Sequence, residues 1–349
     1  MPDLEMGGAE RIITTIANHL PRDHYRPTIM LMRKQGHYLS LLKEDVQVVD
    51  LGVERIRQSL LPILKQLRKL QPDIVFCGYG EVNAYLSIFI PFFRKTKFIA
   101  RETNVVSEHV KRPEIRFFYR FYKNFHRIIC QSDDMQKDLV ANFNLSLEKL
   151  IKINNPVDFE LIGKHLEGHS VPSEYKDGAK NIVAIGNLSS RKGFDNLLKV
   201  FSYLKDENIH LHILGDGADR EKLLDLKKEL GLNKVEFLGK KSNPYPYLKF
   251  ADLFILSSRY EGFPNVLLEA GACGTFALAN NCPGGINEIV EAGINGEIAD
   301  IENPEQFARK IMELVNKNYD SEKVKNSIYQ RFSKDIILKK YEKILESLV

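Results

Sequence analysis

The densest chemistry lies in residues 252–274, DLFILSSRYEGFPNVLLEAGACG, where an apolar run breaks at Gly262 and Pro264 and resumes as a helical run from Val266. A strand-to-helix turn of this kind leaves first-turn amides without internal partners, and the helix dipole adds partial positive charge, so phosphate is a natural ligand there. Glu261 sits on the loop. Glu269 sits two turns into the helix among Val266, Leu267, Leu268 and Ala270. A carboxylate in such apolar company needs hydrogen-bond donors. Ribose hydroxyls would supply them; neighbouring backbone amides would do so too, leaving Glu261 an exposed loop acid.

A second anion-binding candidate follows KNIVAIGNL, where SSRKGFDNLL places Arg191 and Lys192 ahead of a helix. Two adjacent cations beside a helix start can neutralise a pyrophosphate; alternatively they are solvated surface charges. ILGDGADR carries Gly215 and Gly217 after a strand, without the third glycine of the dinucleotide fingerprint. MGGAERIITTIANHL puts Gly7 and Gly8 before an amphipathic helix, where backbone can approach an anion closely.

Positioning such loops needs strands that end in them. RPTIMLM, VQVVDLG, PDIVFCG, TKFIARE and HRIICQS read as strands in the first half, and KNIVAIGNL, IHLHILGDG, KVEFLG, DLFILSS and TFALAN in the second, with helical stretches such as SLLPILKQLRKL and REKLLDLKKELG between. Alternation of this sort predicts parallel sheets flanked by helices, hence two Rossmann-like, doubly wound domains. The stretch 155–178 is rich in Pro, Gly and charge and is the expected junction. We therefore expect an N-terminal domain over residues 1–160, a C-terminal one over 161–330, and a terminal helix over 331–349 packing across the junction, with the ligand in the cleft between domains.

With 349 residues, one core would be overfull, in keeping with two domains. Cys77, Cys130, Cys273 and Cys282 lack the spacing of a zinc site or disulfide framework, pointing to a reducing cytoplasm. No apolar run is long enough to span a bilayer. The net charge of +4 comes largely from residues 90–130, which hold ten Lys or Arg against three acids. Within them Arg112, Arg116, Arg120, Lys123 and Arg127 interleave with Phe117, Phe118, Tyr119, Phe121, Tyr122 and Phe125. The pattern is that of a basic amphipathic helix on an anionic membrane surface, or equally of a core helix with a solvated cationic face. No nucleic-acid motif accompanies it.

Taken in order, GGAER, NNPVD, GNLSSRKGFD, GDGADREKL, FLGK, RYEGFPNVLLEA and GGINEIVEAGINGEIAD resemble family 4 glycosyltransferases, retaining enzymes of the GT-B fold, over essentially the whole chain. The resemblance implies that the second domain binds a nucleotide sugar, UDP- or GDP-linked. Glu261, Lys192 and Arg191 would act at the reacting centre, the cations on the diphosphate and Glu261 near the transferred sugar. Glu269 would meet the ribose. Gly8, Asn187, Gly215, Gly239, Lys240, Lys241, Gly262, Phe263, Pro264, Asn265 and Val266 would complete the donor site. No metal and no cofactor are implied, and fixed cations and amides would stabilise the departing diphosphate.

Three positions depart from the family pattern. Asn187 stands where an Arg is common, leaving more of the charge to Arg191 and Lys192. Arg101, Glu102 and Thr103 occupy the place of an acidic-histidine pair, which makes them candidates for the acceptor side, as Arg112, Arg116 and Arg120 are for acceptor or membrane. The apolar β-strand that opens family members is absent before PDLEMGGAER, so the first sheet is expected to lack its central strand, with unpaired ladder groups and poor stability. The expected activity is transfer of a hexose or N-acetylhexosamine to a lipid-linked glycan, by a bacterial polysaccharide-type enzyme peripheral to the inner face of the cytoplasmic membrane. A nucleotide-sugar 2-epimerase of similar fold and a non-catalytic nucleotide-sugar-binding homologue are the alternatives.

Overall fold

The structure is a computed structural model that describes residues 1–5 and 7–348; Met6 and Val349, each inside a stretch discussed above, lie outside the described residues. The chain divides into two compact units, Met1–Pro156 with Asp335–Val349, and Val157–Lys334.

The first unit holds two separate parallel sheets among the described residues. β1 (Thr28–Leu31) pairs with β2 (Gln47–Asp50), while β3 (Ile74–Cys77), β4 (Lys97–Arg101), β5 (Arg127–Cys130) and β6 (Leu150–Lys152) pair in that order. Residues at the start of the chain run beside β1, with Met32 N–H donating to Met1 O at 3.0 Å and Arg33 N–H to Pro2 O at 3.0 Å. Helix Gly8–His19 turns Ile12 and Ile16 toward Ile99 of β4, Ile129 of β5 and Ile153.

The second unit is a single six-stranded parallel sheet among the described residues. Its strands are β7 (Lys180–Ile185), β8 (Ile209–Leu214), β9 (Val235–Gly239), β10 (Leu253–Leu256), β11 (Ala277–Asn280) and β12 (Gly296–Ala299), in the order β12-β11-β10-β7-β8-β9. All four residues of β10 are buried, as a parallel strand covered on both faces requires. Leu197, Leu211, Ile255 and Phe307 pack on one face, and Val183, Phe254, Leu268 and Ile286 on the other. Strand order reverses between β7 and β10, the switch point at whose carboxyl edge ligands of such sheets bind.

Several expectations need correction. Helix Phe159–Leu166 forms within the segment 155–178, where no helix is expected, capped by the Asp158 side chain accepting from Leu161 N–H. The terminal stretch is not a third segment from 331. Helix Ser321–Phe332 ends in the second unit, and helix Lys334–Glu346 packs Ile337, Tyr341 and Leu345 into the first unit's core.

The basic aromatic stretch is not one helix either. An α-helix over Pro113–Phe118 tightens into a 3-10 helix over Tyr119–Asn124. Tyr119, Tyr122 and Phe125, three apart, are at most 1% exposed, the single face that a repeat of three residues per turn turns inward.

Candidate functional site

The four loops at the carboxyl ends of β10, β7, β8 and β9 share one edge of the second unit, and the two that flank the switch point carry the reactive charges. After β7 the chain makes a 3-10 turn over Ser190–Lys192 and then Gly193 at φ +64°. A Cβ on Gly193 would lie 2.1 Å from Ser257 O, so only glycine lets this turn close onto the loop after β10. Arg259 N–H donates to Arg191 O at 2.8 Å, and Ser257 Oγ donates to Lys192 O at 2.8 Å.

That closure delivers both cations to one carboxylate. Lys192 Nζ lies 2.5 Å from Glu261 Oε1, Arg191 Nη1 lies 2.9 Å from Oε2, and Ser258 Oγ donates to Oε1 at 2.7 Å. Glu261 is 4% exposed. Burial alone would raise its pKa, but the charges of Lys192 and Arg191 outweigh burial and hold it below the ordinary carboxylate value. The stem of Lys192 lies along Gly186, whose added Cβ would come within 3.3 Å of Lys192 Cδ and Cε. The Glu261 backbone is fixed in turn by its N–H bond to Pro283 O at 2.9 Å and by Gly285 N–H to Gly262 O at 2.9 Å.

Helix Asn265–Ala272 begins directly after this loop, with Pro264 at its cap and no side-chain cap bond, so its first-turn amides face the same edge. Glu269 lies on that helix and is 8% exposed; Gly262, Phe263 and Pro264 are buried in the turn, and Asn265 and Val266 are half-buried at the helix start.

The loops after β7 and β8 interlock. Leu188 N–H donates to Asp216 O and Gly186 N–H to Leu214 O, each at 3.0 Å. Gly215, at φ +141°, packs so tightly that a Cβ would fall 1.8 Å from Gly186 O. Asn187 is exposed at the tip. Gly239, which accepts from Gly215 N–H at 2.9 Å, and exposed Lys240 continue the edge. Lys241 is engaged elsewhere: its Nζ lies 2.8 Å from Glu174 Oε1, which also accepts from Tyr247 O–H at 2.8 Å. The Lys241 hydrogen bond holds Glu174 down at about 2.

A clamp that sequence reasoning passes over joins the same loops. Arg259 donates to both oxygens of Asp195, at 2.8 and 2.7 Å, and to Ser190 O at 2.5 Å. Both partners stand inside motifs already singled out, SSRYEG and RKGFD, yet nothing along the chain pairs them.

In the first unit, Gly7 caps helix Gly8–His19 in extended conformation without a side-chain cap bond. Arg101 and Glu102, expected toward the acceptor, are interior instead. Arg101 is 1% exposed and donates to Tyr341 Oη at 3.1 Å and Asn155 Oδ1 at 2.7 Å. Glu102 accepts from Tyr122 O–H at 2.6 Å and from Tyr119 O–H and Asn83 Nδ2 at 3.4 Å; burial raises its pKa. Tyr119 and Tyr122 thus cover Glu102, whereas Arg101 is held by Tyr341 and Asn155, and Thr103 is half-buried. Arg112, Arg116 and Arg120 are exposed, with Arg112 paired to Glu81 at 2.8 Å. No helix among the described residues is long and apolar enough to cross a membrane.

Comparison with known proteins supplies the family and agrees with the fold. The family model Glycosyltransferase Family 4 matches residues 6–161, and the model Glycosyl transferases group 1 matches residues 169–331. An uncharacterized glycosyltransferase of Haemophilus influenzae is 35% identical, the match covering 89% of this chain and 87% of that protein. N-acetylgalactosamine-N,N'-diacetylbacillosaminyl-diphospho-undecaprenol 4-alpha-N-acetylgalactosaminyltransferase of Campylobacter jejuni is 28% identical, over 86% of this chain and 84% of that protein. The solved structure of Anabaena Alr3699/HepE in complex with UDP and glucose is similar with TM-score 0.81 at 21% identity, covering 99% of this chain and 97% of that one. With its two Rossmann-like units, the chain belongs to the family 4 glycosyltransferases of the GT-B fold.

Proposed function

We propose that the protein is a retaining, metal-independent transferase that takes a hexose or N-acetylhexosamine from a UDP-sugar and passes it to a lipid-linked glycan at an anionic membrane face. The observation that carries the reading is the buried Glu261 carboxylate held between Lys192 and Arg191 beside the start of helix Asn265–Ala272. Two fixed cations and a helix start at one point are what a departing diphosphate needs, and preorganised charge of this kind supplies the greatest share of most enzymatic rate enhancements. The cations supply there the charge that a bound divalent ion would otherwise bring.

In the proposed step the bond from the sugar's anomeric carbon to the β-phosphate oxygen breaks as the acceptor oxygen bonds on the same face. The leaving phosphate takes the acceptor proton, so no protein nucleophile is required. Lys192 and Arg191 hold the charge that builds on the diphosphate, Glu261 keeps both cations aimed, and Glu269 receives the ribose hydroxyls. UDP as the nucleotide is favoured by the complex of the Anabaena structure, and a polyprenyl-linked acceptor by the name of the Campylobacter relative.

The test is release of nucleoside diphosphate from UDP-, GDP- and ADP-sugars with chelator present, with and without membrane lipid extract, beside Glu261→Gln. Lipid-dependent release from a UDP-sugar that survives chelator and collapses in the variant supports the proposal. Release abolished by chelator, or an epimerised free sugar nucleotide as product, refutes it.

A further inference from the structure

The buried repeat Tyr119, Tyr122 and Phe125 leaves the opposite side of the same segment facing outward. There Phe117 is 49% exposed, and Arg116, Arg120 and Lys123 are exposed around it. This face is held rigidly. The Tyr119 and Tyr122 rings stack at 4.1 Å, and both hydroxyls are bonded to Glu102, directly after β4. Phe117 is therefore displayed from a fixed base, with the Arg120 guanidinium 5.4 Å over its ring and Phe121 at 5.9 Å.

A second segment extends the same surface. Helix Gly80–Leu86 ends at Ser87, whose Oγ donates to Phe118 O at 3.3 Å and whose O accepts from Asn124 Nδ2 at 3.0 Å. Beyond it the short turn Ile90–Phe92 projects Phe92, 74% exposed, followed by exposed Arg94 and Lys95. Across residues 91–124, among the described residues, seven cations (Arg94, Lys95, Lys111, Arg112, Arg116, Arg120 and Lys123) are exposed, against exposed Glu114 and the Glu108 carboxylate, which is 45% exposed and 3.4 Å from Lys111. That excess is larger than the net charge of the whole chain, +4, so the positive potential is concentrated on one flank.

We propose that this flank docks on an anionic lipid bilayer, with Phe92 and Phe117 entering the boundary between headgroups and acyl chains while the cations meet lipid phosphates. Two phenylalanines with no polar tip, set out on separate segments inside a field of cations, match that boundary, where apolar area and positive charge both contribute to binding. A purely polyanionic partner would account for the cations and leave the two exposed rings without a role. The proposal extends the reading of a lipid-linked acceptor above, but rests on a surface that donor chemistry does not use.

The experiment is co-flotation of the full chain with phosphatidylcholine vesicles, with and without phosphatidylglycerol, in the absence of any nucleotide sugar. Wild type is compared with Phe92→Ser/Phe117→Ser and with Arg94→Gln/Lys95→Gln/Arg120→Gln/Lys123→Gln; all these side chains are exposed, so circular dichroism and melting should match wild type. Binding is expected only to anionic vesicles and to fall with salt. It should drop about fivefold for each cation removed, and fall in the phenylalanine variant with the salt dependence retained. Absence of vesicle binding, equal binding by both variants, or binding to soluble heparin as tight as to vesicles with no loss in the phenylalanine variant each overturns the proposal. Nucleoside diphosphate release is measured on the same samples, so a chain that binds vesicles as expected but turns over no donor refutes the transferase reading alone.

Discussion

Replacing Lys192 by Met tests whether Glu261 is truly a closed, buried charge. The carboxylate is 4% exposed and loses its closest cation, keeping Ser258 and Arg191, whose side chain is 29% exposed and therefore partly screened. Removing one partner of a buried pair costs roughly 3–5 kcal/mol, and the remaining donors place this case near the lower end, about 3 kcal/mol. In a unit the size of Val157–Lys334 each kcal/mol shifts the melting temperature by about 2–4 °C, so a fall of roughly 6–12 °C is expected. Lys192→Met/Glu261→Gln should recover most of the loss, because the introduced amide can still accept from Ser258 and no buried charge is left stranded, Arg191 being 29% exposed. Both variants should be inactive, which separates stability from catalysis. Calorimetry on the two variants decides the matter. A loss under about 1 kcal/mol in the single variant, or a double variant no more stable than the single, would show that water reaches Glu261 and that the closed pair is not its environment.

Three further outcomes follow from the second unit. Asp195→Asn and Arg259→Lys each break the two-pronged clamp on the Ser190–Lys192 turn, and kcat/KM should fall about 10- to 100-fold with the fold intact, since Lys cannot reproduce the fork; wild-type steady-state kinetics in Arg259→Lys would refute the clamp. Gly215→Ala, with φ +141° and a Cβ 1.8 Å from Gly186 O, should cost roughly 3 kcal/mol or more, against about 1 kcal/mol for Gly293→Ala, where φ is +72° and space is open; urea unfolding of the pair checks the ratio. Burial pushes His212 down to about 4 from its ordinary 6.5, with Glu236 opposing and His210 and Lys176 adding to the effect. The unfolded chain binds that proton first, so this contribution is complete above the unfolded value and drains away by up to about 3 kcal/mol as pH falls from 6.5 to 4. Melting curves across that window should be flatter in His212→Asn.

What the sequence discloses depends on the range of the interaction. Ten strands are legible because IVFC, IHLHIL or LFIL are β-rich runs set between breakers; β6, only LIK, and β12, GEIA, are too short and too weakly apolar to stand out. Helix Phe159–Leu166 hides behind the flanking Pro, Gly and charge, although Asp158 ahead of Phe159, Ile162 and Leu166 is a local start signal. The cations and Glu261 announce themselves by type and neighbourhood. Their mutual closure does not, because Lys192 and Glu261 lie 69 residues apart and meet only through the strand order β10-β7. The Arg259–Asp195 fork and the capture of Lys241 by Glu174 are of the same kind. In the aromatic stretch the composition suits a surface and a core alike, and only the change of helical pitch at Tyr119 assigns each ring to one or the other.

The second unit starts and finishes at one spot. Val157 N–H donates to Phe332 O at 2.8 Å, Lys334 N–H donates to Val157 O at 3.0 Å, and Lys334 Nζ pairs with Asp158 and Glu160 at 3.1 Å and 3.2 Å. In chain terms the second unit is an insert spliced into the first at a single stitched seam. A segment whose ends already touch can be excised, transplanted or rejoined without a gap to bridge. Under the proposed function, exchange of this unit at the seam would bring a new donor site, its switch-point loops included, to an old acceptor.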